Sequence, residues 1–433
     1  MCNLRGKSAE QKKIYGLAAI IAASFLASLD GILFRPALTG VPIVLVVFLE
    51  HLIGFVFLAP FIYIGWKRIK NLTAKDWTSL VIICVFGGLL GNFVLTKAYF
   101  LAVEENSALA AVIVLQKLQP FFVIVLANIF LKERMPKKFY PWAVVATIAA
   151  YFLSFGEEGI SFRDLISMNI VNKAAFFAVI AALAYASSTV FGKRLLNHLD
   201  YKSTAALRYG GTFLFAIPLV CAGGYFHEIG NISFLHWQAL SAIGLLSGGA
   251  IFFLIYYWGL RFVSASLTTI GELFWPLSGV ALDYFINGNV LSGIQIMAVV
   301  VLLVAFYFVT KEGDLQLPTF SALTAAGSNT GRFIGFNTAD LNNVNLDIDH
   351  GVYMVRAALG GKKYKGLLSF GFRETFGEGQ YLELYLPDFV GNYYGIMIKI
   401  EMLKKIRDIK KFKSAEELRE AIKNDLKDLE NIK

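Results

Sequence analysis

Ala108-Leu109-Ala110-Ala111, running on to Gln119-Pro120, returns later in the chain as Ser264-Ala265-Ser266-Leu267, running on to Trp275-Pro276. In both, a turn of small residues leads into an apolar helix that proline interrupts twelve residues on. Proline inside a helix removes a backbone hydrogen bond and kinks it, which a membrane tolerates only where neighbours or a cavity satisfy the freed carbonyl. Such an echo marks an internal repeat. Matched interruptions in two halves of a membrane protein point to a binding site where the halves meet.

Outward from these stretches, residues 14–311 read as long apolar runs, and runs of about 18 or more residues can cross a hydrocarbon core of roughly 30 Å as helices. Ten are expected, at about 14–34, 43–65, 78–101, 109–130, 139–155, 173–192, 204–226, 237–259, 266–287 and 292–310. They fall into two five-helix repeats, 14–155 and 173–311, behind a short N-terminal segment, 1–13. Lys and Arg near span ends stay on the cytoplasmic side. They cluster before the first span (Arg5, Lys7, Lys12, Lys13) and after the second (Lys67, Arg68, Lys70, Lys75), fourth (Lys132, Arg134, Lys137, Lys138) and sixth (Lys193, Arg194, Lys202). Both termini are therefore expected in the cytoplasm and the chain in the inner membrane.

The formal charge of +9 is largely this topological Lys/Arg, so it does not argue for nucleic acid. Cys2, Cys84 and Cys221 are too few and scattered for a disulfide framework or a zinc site. The first apolar run lacks a clear small-residue cleavage site and reads as a retained span. Polar residues at membrane depth are costly and should face a cavity or a partner. Gln116, Gln119, Glu272 and Trp275, close to the proline breaks, are the candidate cavity residues. Glu50 and His51 read as a structural pair, Asp30, Lys97 and Arg208 as charge partners near span ends, and Asp283 as solvated.

This pattern, with Leu131-Lys132-Glu133-Arg134 after the fourth span, resembles the EamA-type members of the drug/metabolite transporter superfamily. The resemblance covers about residues 14–311 and implies a small-molecule carrier of two inverted five-helix repeats, with the cargo left open.

A polar connector at 312–319 leads into a second domain, 320–433. Its short β-prone runs (320–326, 351–358, 365–370, 381–386, 394–402), separated by Gly and Asn, predict a small antiparallel barrel. Ser414-Ala415-Glu416-Glu417 has the form of a capping box that opens a final amphipathic helix. Gly327, Gly331 and Gly335 punctuate one loop, where backbone N–H groups can approach anions closely. Arg332 can neutralise phosphate charge, and Thr338 and Asp340 offer the oxygens that Mg²⁺ takes. Cradled phosphates and a metal ligand are what phosphoryl transfer requires.

Gly331-Arg332-Phe333-Ile334-Gly335-Phe336-Asn337-Thr338-Ala339-Asp340, then Gly351-Val352-Tyr353, Leu382-Glu383-Leu384-Tyr385-Leu386-Pro387-Asp388-Phe389 and Tyr394-Gly395, resemble riboflavin kinase in order and spacing. The resemblance implies that Thr338 and the residue at 340 hold the magnesium nucleotide, that Glu383 is the catalytic base, and that Arg407 lies on the flavin side. The family has Gly-Phe-Pro-Thr-Ala-Asn at the first motif. Here Asn337 replaces the proline, Asp340 replaces the asparagine, and Glu374 stands where proline usually precedes Thr-Phe.

Together the two resemblances imply a riboflavin transporter joined to a kinase that uses Mg²⁺ and ATP to make FMN, and nothing in the chain resembles the FMN adenylyltransferase that bacterial riboflavin kinases often carry. Riboflavin, ATP and the lipid bilayer are the expected partners, and a homodimer is left open. Two alternatives also stay open: a flavin- or nucleotide-sensing domain that gates the carrier, and a carrier for export or for another metabolite.

Overall fold

The computed structural model describes residues 9–34, 36–38, 40–104, 118–155, 173–288, 290–312, 319–326, 338–342, 350–359, 361–372, 380–389, 394–409 and 414–430. The chain divides into two compact units, Lys13–Leu315 and a second that contains Gln316–Lys433.

The first unit is helical. Its elements are α1 (Ala9–Leu29), α2 (Ile43–Leu58), α3 (Pro60–Ile69), α4 (Ala74–Ile82), α5 (Gly91–Glu104), α6 (Gln119–Leu131), α7 (Phe139–Phe155), α8 (Lys173–Leu195), α9 (Tyr201–Ala222), α10 (Phe234–Ala242), α11 (Ala250–Leu260), α12 (Ala265–Gly271), α13 (Phe274–Asn287) and α14 (Gly293–Glu312). Among the described residues six helices are long and apolar enough to cross a membrane. Two of them are composite, Ala74–Leu95 and Phe234–Leu260. The expected second span is instead broken: α2 and α3 meet at 76°, where Pro60 starts a new helix. Residues 109–117 of the expected fourth span lie outside the described residues and its remainder is α6, and the ninth is split into α12 and α13. The count of ten is therefore not reached by continuous helices.

The helices pair as two related halves would. α2 packs on α9, α7 on α14, and α6 on α12. Phe139, Ala143, Ala146, Ala150 and Leu153 of α7 meet Ala298, Leu302, Ala305 and Val309 of α14, each set on one helix face. The alanines let the backbones approach closely, which drives helix association where lipid offers no hydrophobic force. Gly54 goes further: a Cβ there would lie 2.5 Å from the Tyr209 ring, so only glycine admits α9 against α2.

The expected proline breaks have a simple local form. Pro120 and Pro276 lie in the first turns of α6 and α13, where a missing N–H costs nothing. A second matched pair of irregularities lies in the composite spans, as π-helical turns at Ile83–Leu90 and Ile243–Ser247.

The second unit is a closed antiparallel barrel in the order β1-β2-β5-β4-β3-β6. Its strands are β1 (Thr319–Ala326), β2 (Thr338–Asn342), β3 (Gly351–Leu359), β4 (Lys362–Phe372), β5 (Gln380–Tyr385) and β6 (Met397–Arg407), followed by α15 (Ala415–Glu430). Ala339, Leu341, Tyr353, Val355, Leu368, Leu384 and Ile400 fill the interior. Ile422, Leu426 and Leu429 of α15 cover Met354 and Leu367. β3 is thus buried on both faces, which explains its nearly continuous apolar run. Ser414 Oγ accepts from the Glu417 backbone N–H at 3.2 Å, as the capping pattern requires.

Candidate functional site

In the barrel, Ala339 and Leu341 point inward, so alternation turns Thr338 and Asp340 to the outer face. β2 pairs with β5, which sets Asp340 opposite Glu383 and Thr338 opposite Tyr385. Directly opposed residues of an antiparallel pair have Cβ atoms about 4.5–5.5 Å apart, and like charges there repel. Two facing carboxylates can hold a cation between them. Thr338 Oγ1 is buried with no hydrogen-bond partner among the described residues, and thus adds an unused oxygen beside them. Among the described residues no cluster of three or more His, Cys, Asp or Glu forms a metal cage. Two carboxylates and a hydroxyl suit a hard divalent cation that takes its remaining ligands from water and phosphate. Burial, and then the nearby Asp388 carboxylate, raise the Tyr385 phenol above its usual range, so it remains a neutral group beside this face.

Arg407 lies at the end of β6, and its guanidinium grips Asp425 of α15 through Nε and Nη2 at 2.8–3.0 Å. Gly327, Gly331, Arg332 and Gly335, with Asn337 and Glu374, lie outside the described residues.

The helical unit holds a half-open cavity of about 270 Å³. Both proline breaks reach it, through Gln119 and Pro120 on one side and Glu272 and Trp275 on the other, and so do the matched π-helical turns, through Gly87 and Ser247, and a third at Asp30–Phe34, through Asp30. Gln116 lies outside the described residues. Gln119 Nε2 donates to Glu272 Oε2 at 2.8 Å, which ties the two breaks together, and Tyr256 donates to Glu272 Oε1 at 2.6 Å. Asp30, Glu50 and His51 also line the cavity. The expected Glu50–His51 pair is present at 3.5 Å, with the His51 ring stacked on Tyr209.

Arg208 corrects an expectation. It does not snorkel from a span end; it is 4% exposed and lines the cavity. Asp200 caps α9, which places Arg208 two turns inside the helix, and it donates to Ser188 and to Tyr257 at 3.2 Å while lying over the Phe253 ring. Ser247 Oγ, Thr269 Oγ1 and Arg208 Nε are buried without partners among the described residues. Unsatisfied polar groups around one cavity mark a place for solute or water. The sequence carried a signal for the π-helical turns in the glycine pairs Gly87-Gly88 and Gly248-Gly249.

Comparison with known proteins decides the family. The model of the EamA-like transporter family matches residues 14–155 and 172–311. The chain belongs to the EamA-like transporter family. A relative of this EamA-like transporter is riboflavin transporter ImpX of Fusobacterium nucleatum, 32% identical over 302 residues, covering 69% of this chain and 98% of that protein. A solved structure superposes with a TM-score of 0.51 at 18% identity, covering 69% of this chain and 98% of that one, and so shares the fold. The C-terminal unit, residues 318–433, matches the riboflavin kinase family model. It is 40% identical over 129 residues to a bifunctional riboflavin kinase/FMN adenylyltransferase of Bacillus subtilis, a match that covers 41% of that protein. This EamA-like transporter is therefore an integral membrane protein fused to a riboflavin kinase domain.

Proposed function

We propose that the membrane unit admits riboflavin and that the barrel phosphorylates it on the cytoplasmic side of the inner membrane, where both termini would lie. The observation that carries this reading is that one chain joins the relative of a riboflavin transporter, matched over nearly that relative's whole length, to a riboflavin kinase domain. Ten spans in two inverted repeats would place the cavity between the halves, with Gln116, Gln119, Glu272 and Trp275 lining the path.

In the barrel, Glu383 accepts the proton of the ribityl 5′-hydroxyl as that oxygen attacks the γ-phosphorus of ATP and ADP leaves, giving FMN. Thr338 and Asp340 would hold Mg²⁺, which would supply charge neutralisation for the phosphates. Gly327, Gly331 and Gly335 cradle the phosphates and Arg332 balances their charge. Arg407 stands on the flavin side, where its bond to Asp425 fixes its orientation. Phosphorylation adds about −1.5 to −2 charges, so the product would be trapped and ATP would drive accumulation indirectly.

The test is FMN formation by the purified full-length protein with riboflavin and Mg-ATP, alongside Glu383→Gln. Turnover that the substitution abolishes supports the kinase. Bound flavin without turnover contradicts it and favours a sensor.

A further inference from the structure

Contacts among its lining residues give the cavity two ends. Glu272, Tyr256 and Gln119, bonded to one another, form the first, with Trp275 and the stacked Phe252 and Tyr256 rings beside them. Phe253 links this end to the other: its ring lies 6.0 Å from that of Tyr256 and 5.7 Å from that of Tyr209, with the Arg208 guanidinium over it at 4.2 Å. At the second end His51 stacks on Tyr209, Glu50 lies against His51, and the Tyr209 hydroxyl donates to the Gly248 carbonyl. Asp30 reaches the same place, since a Cβ built on Gly248 would lie 3.9 Å from Asp30 Oδ2. Next to Gly248, the Ser247 hydroxyl lines the cavity, fully buried and without a partner among the described residues. The first end is thus rich in ring faces and its polar groups engage each other, while the second sets two carboxylates around an unused hydroxyl. A carboxylate accepts hydrogen bonds at about four positions, so Asp30 and Glu50 can take O–H donors from a solute in addition to the contacts they already make.

We infer that Asp30, Glu50 and Ser247 bind the polyhydroxyl chain of the solute, with its planar ring lying toward Phe252, Tyr256 and Trp275. The inference rests on the riboflavin reading above, which supplies a solute with a flat ring at one end and a ribityl chain at the other. Ribityl hydroxyls donate to the two carboxylates in charge-assisted bonds, and the Ser247 hydroxyl pairs with a neighbouring one as donor or acceptor. The same end selects against the kinase product. A phosphate on the chain is set among carboxylates, and juxtaposed like charge is costly, so FMN is rejected by the groups that hold riboflavin.

The test is the initial rate of labelled riboflavin entry into proteoliposomes of the full-length protein without nucleotide, with unlabelled competitors outside. Lumiflavin, which carries a methyl group in place of the ribityl chain, should compete at least about tenfold less well than riboflavin. In Asp30→Asn, riboflavin should bind about three- to tenfold more weakly, lumiflavin should compete within about twofold of its wild-type strength, and the gap between FMN and riboflavin should narrow. Ser247→Ala should weaken riboflavin about two- to tenfold and again spare lumiflavin. A general loss of folding moves all three flavins together and cannot give this pattern. Equal competition by lumiflavin and riboflavin in the wild type overturns the inference and leaves the riboflavin reading standing, as does an Asp30→Asn protein that weakens both alike or keeps the FMN gap unchanged. Absence of riboflavin entry, with protein in the membrane, overturns both.

Discussion

Asp340 and Glu383 face each other across the β2–β5 pair, and the roles proposed for them should separate on substitution. Glu383→Gln keeps shape and removes the proposed base, so kcat for FMN formation should fall by about 10²–10⁴ with the barrel still folded. Asp340→Asn restores the residue usual in riboflavin kinases and removes a charge near the triphosphate. Its KM for Mg-ATP should fall about three- to tenfold, the effect of roughly 1 kcal/mol of relieved repulsion, while its demand for free Mg²⁺ rises. Steady-state kinetics at varied nucleotide and metal measure both. As candidates only, Thr338, Asp340 and Glu383 were legible in the sequence from motif order. Their juxtaposition was not, because it depends on strand register, and Thr-Ala-Asp-Leu-Asn is too short and too rich in β-poor residues to announce β2.

At the scale of elements, two buried carboxylates act as fasteners. Glu133, 6% exposed in the link between α6 and α7, accepts from the Ala265 N–H at 2.8 Å, the Ser266 N–H at 3.0 Å and the Ser266 hydroxyl at 2.8 Å. It thereby caps α12 of the second repeat. Glu133→Ala leaves those donors unpaired and should cost about 1–3 kcal/mol, seen as a lower Tm in detergent. Asp425 plays the same part for α15 by receiving Arg407, and Asp425→Ala should loosen the helix by about 1–3 kcal/mol, seen as faster hydrogen exchange in 415–430. The helix itself was legible from its cap and apolar stripe. Its ion-pair partner was not, since the contact of Arg407 with Asp425 depends on where the chain between β6 and α15 sets the helix. The proline breaks were likewise written in sequence, whereas the inward turn of Arg208 depends on which face of α9 packs inside.

In the whole molecule, the charge of the cavity bears on the fusion. Asp30, Glu50 and Glu272 line it against the single guanidinium of Arg208 among the described residues, and that guanidinium is engaged by Ser188 and Tyr257. A solute that gains a phosphate meets like charge there, so FMN should compete with riboflavin for uptake at least about tenfold less well than riboflavin itself. Entry and trapping then separate cleanly. Proteoliposomes containing the full-length protein, loaded with Mg-ATP and given labelled riboflavin outside, measure both at once. The account predicts labelled FMN inside above the external flavin concentration for the wild type, and for Glu383→Gln only riboflavin, levelling at the external concentration. Equal accumulation by both proteins, or no riboflavin entry with either, would contradict it.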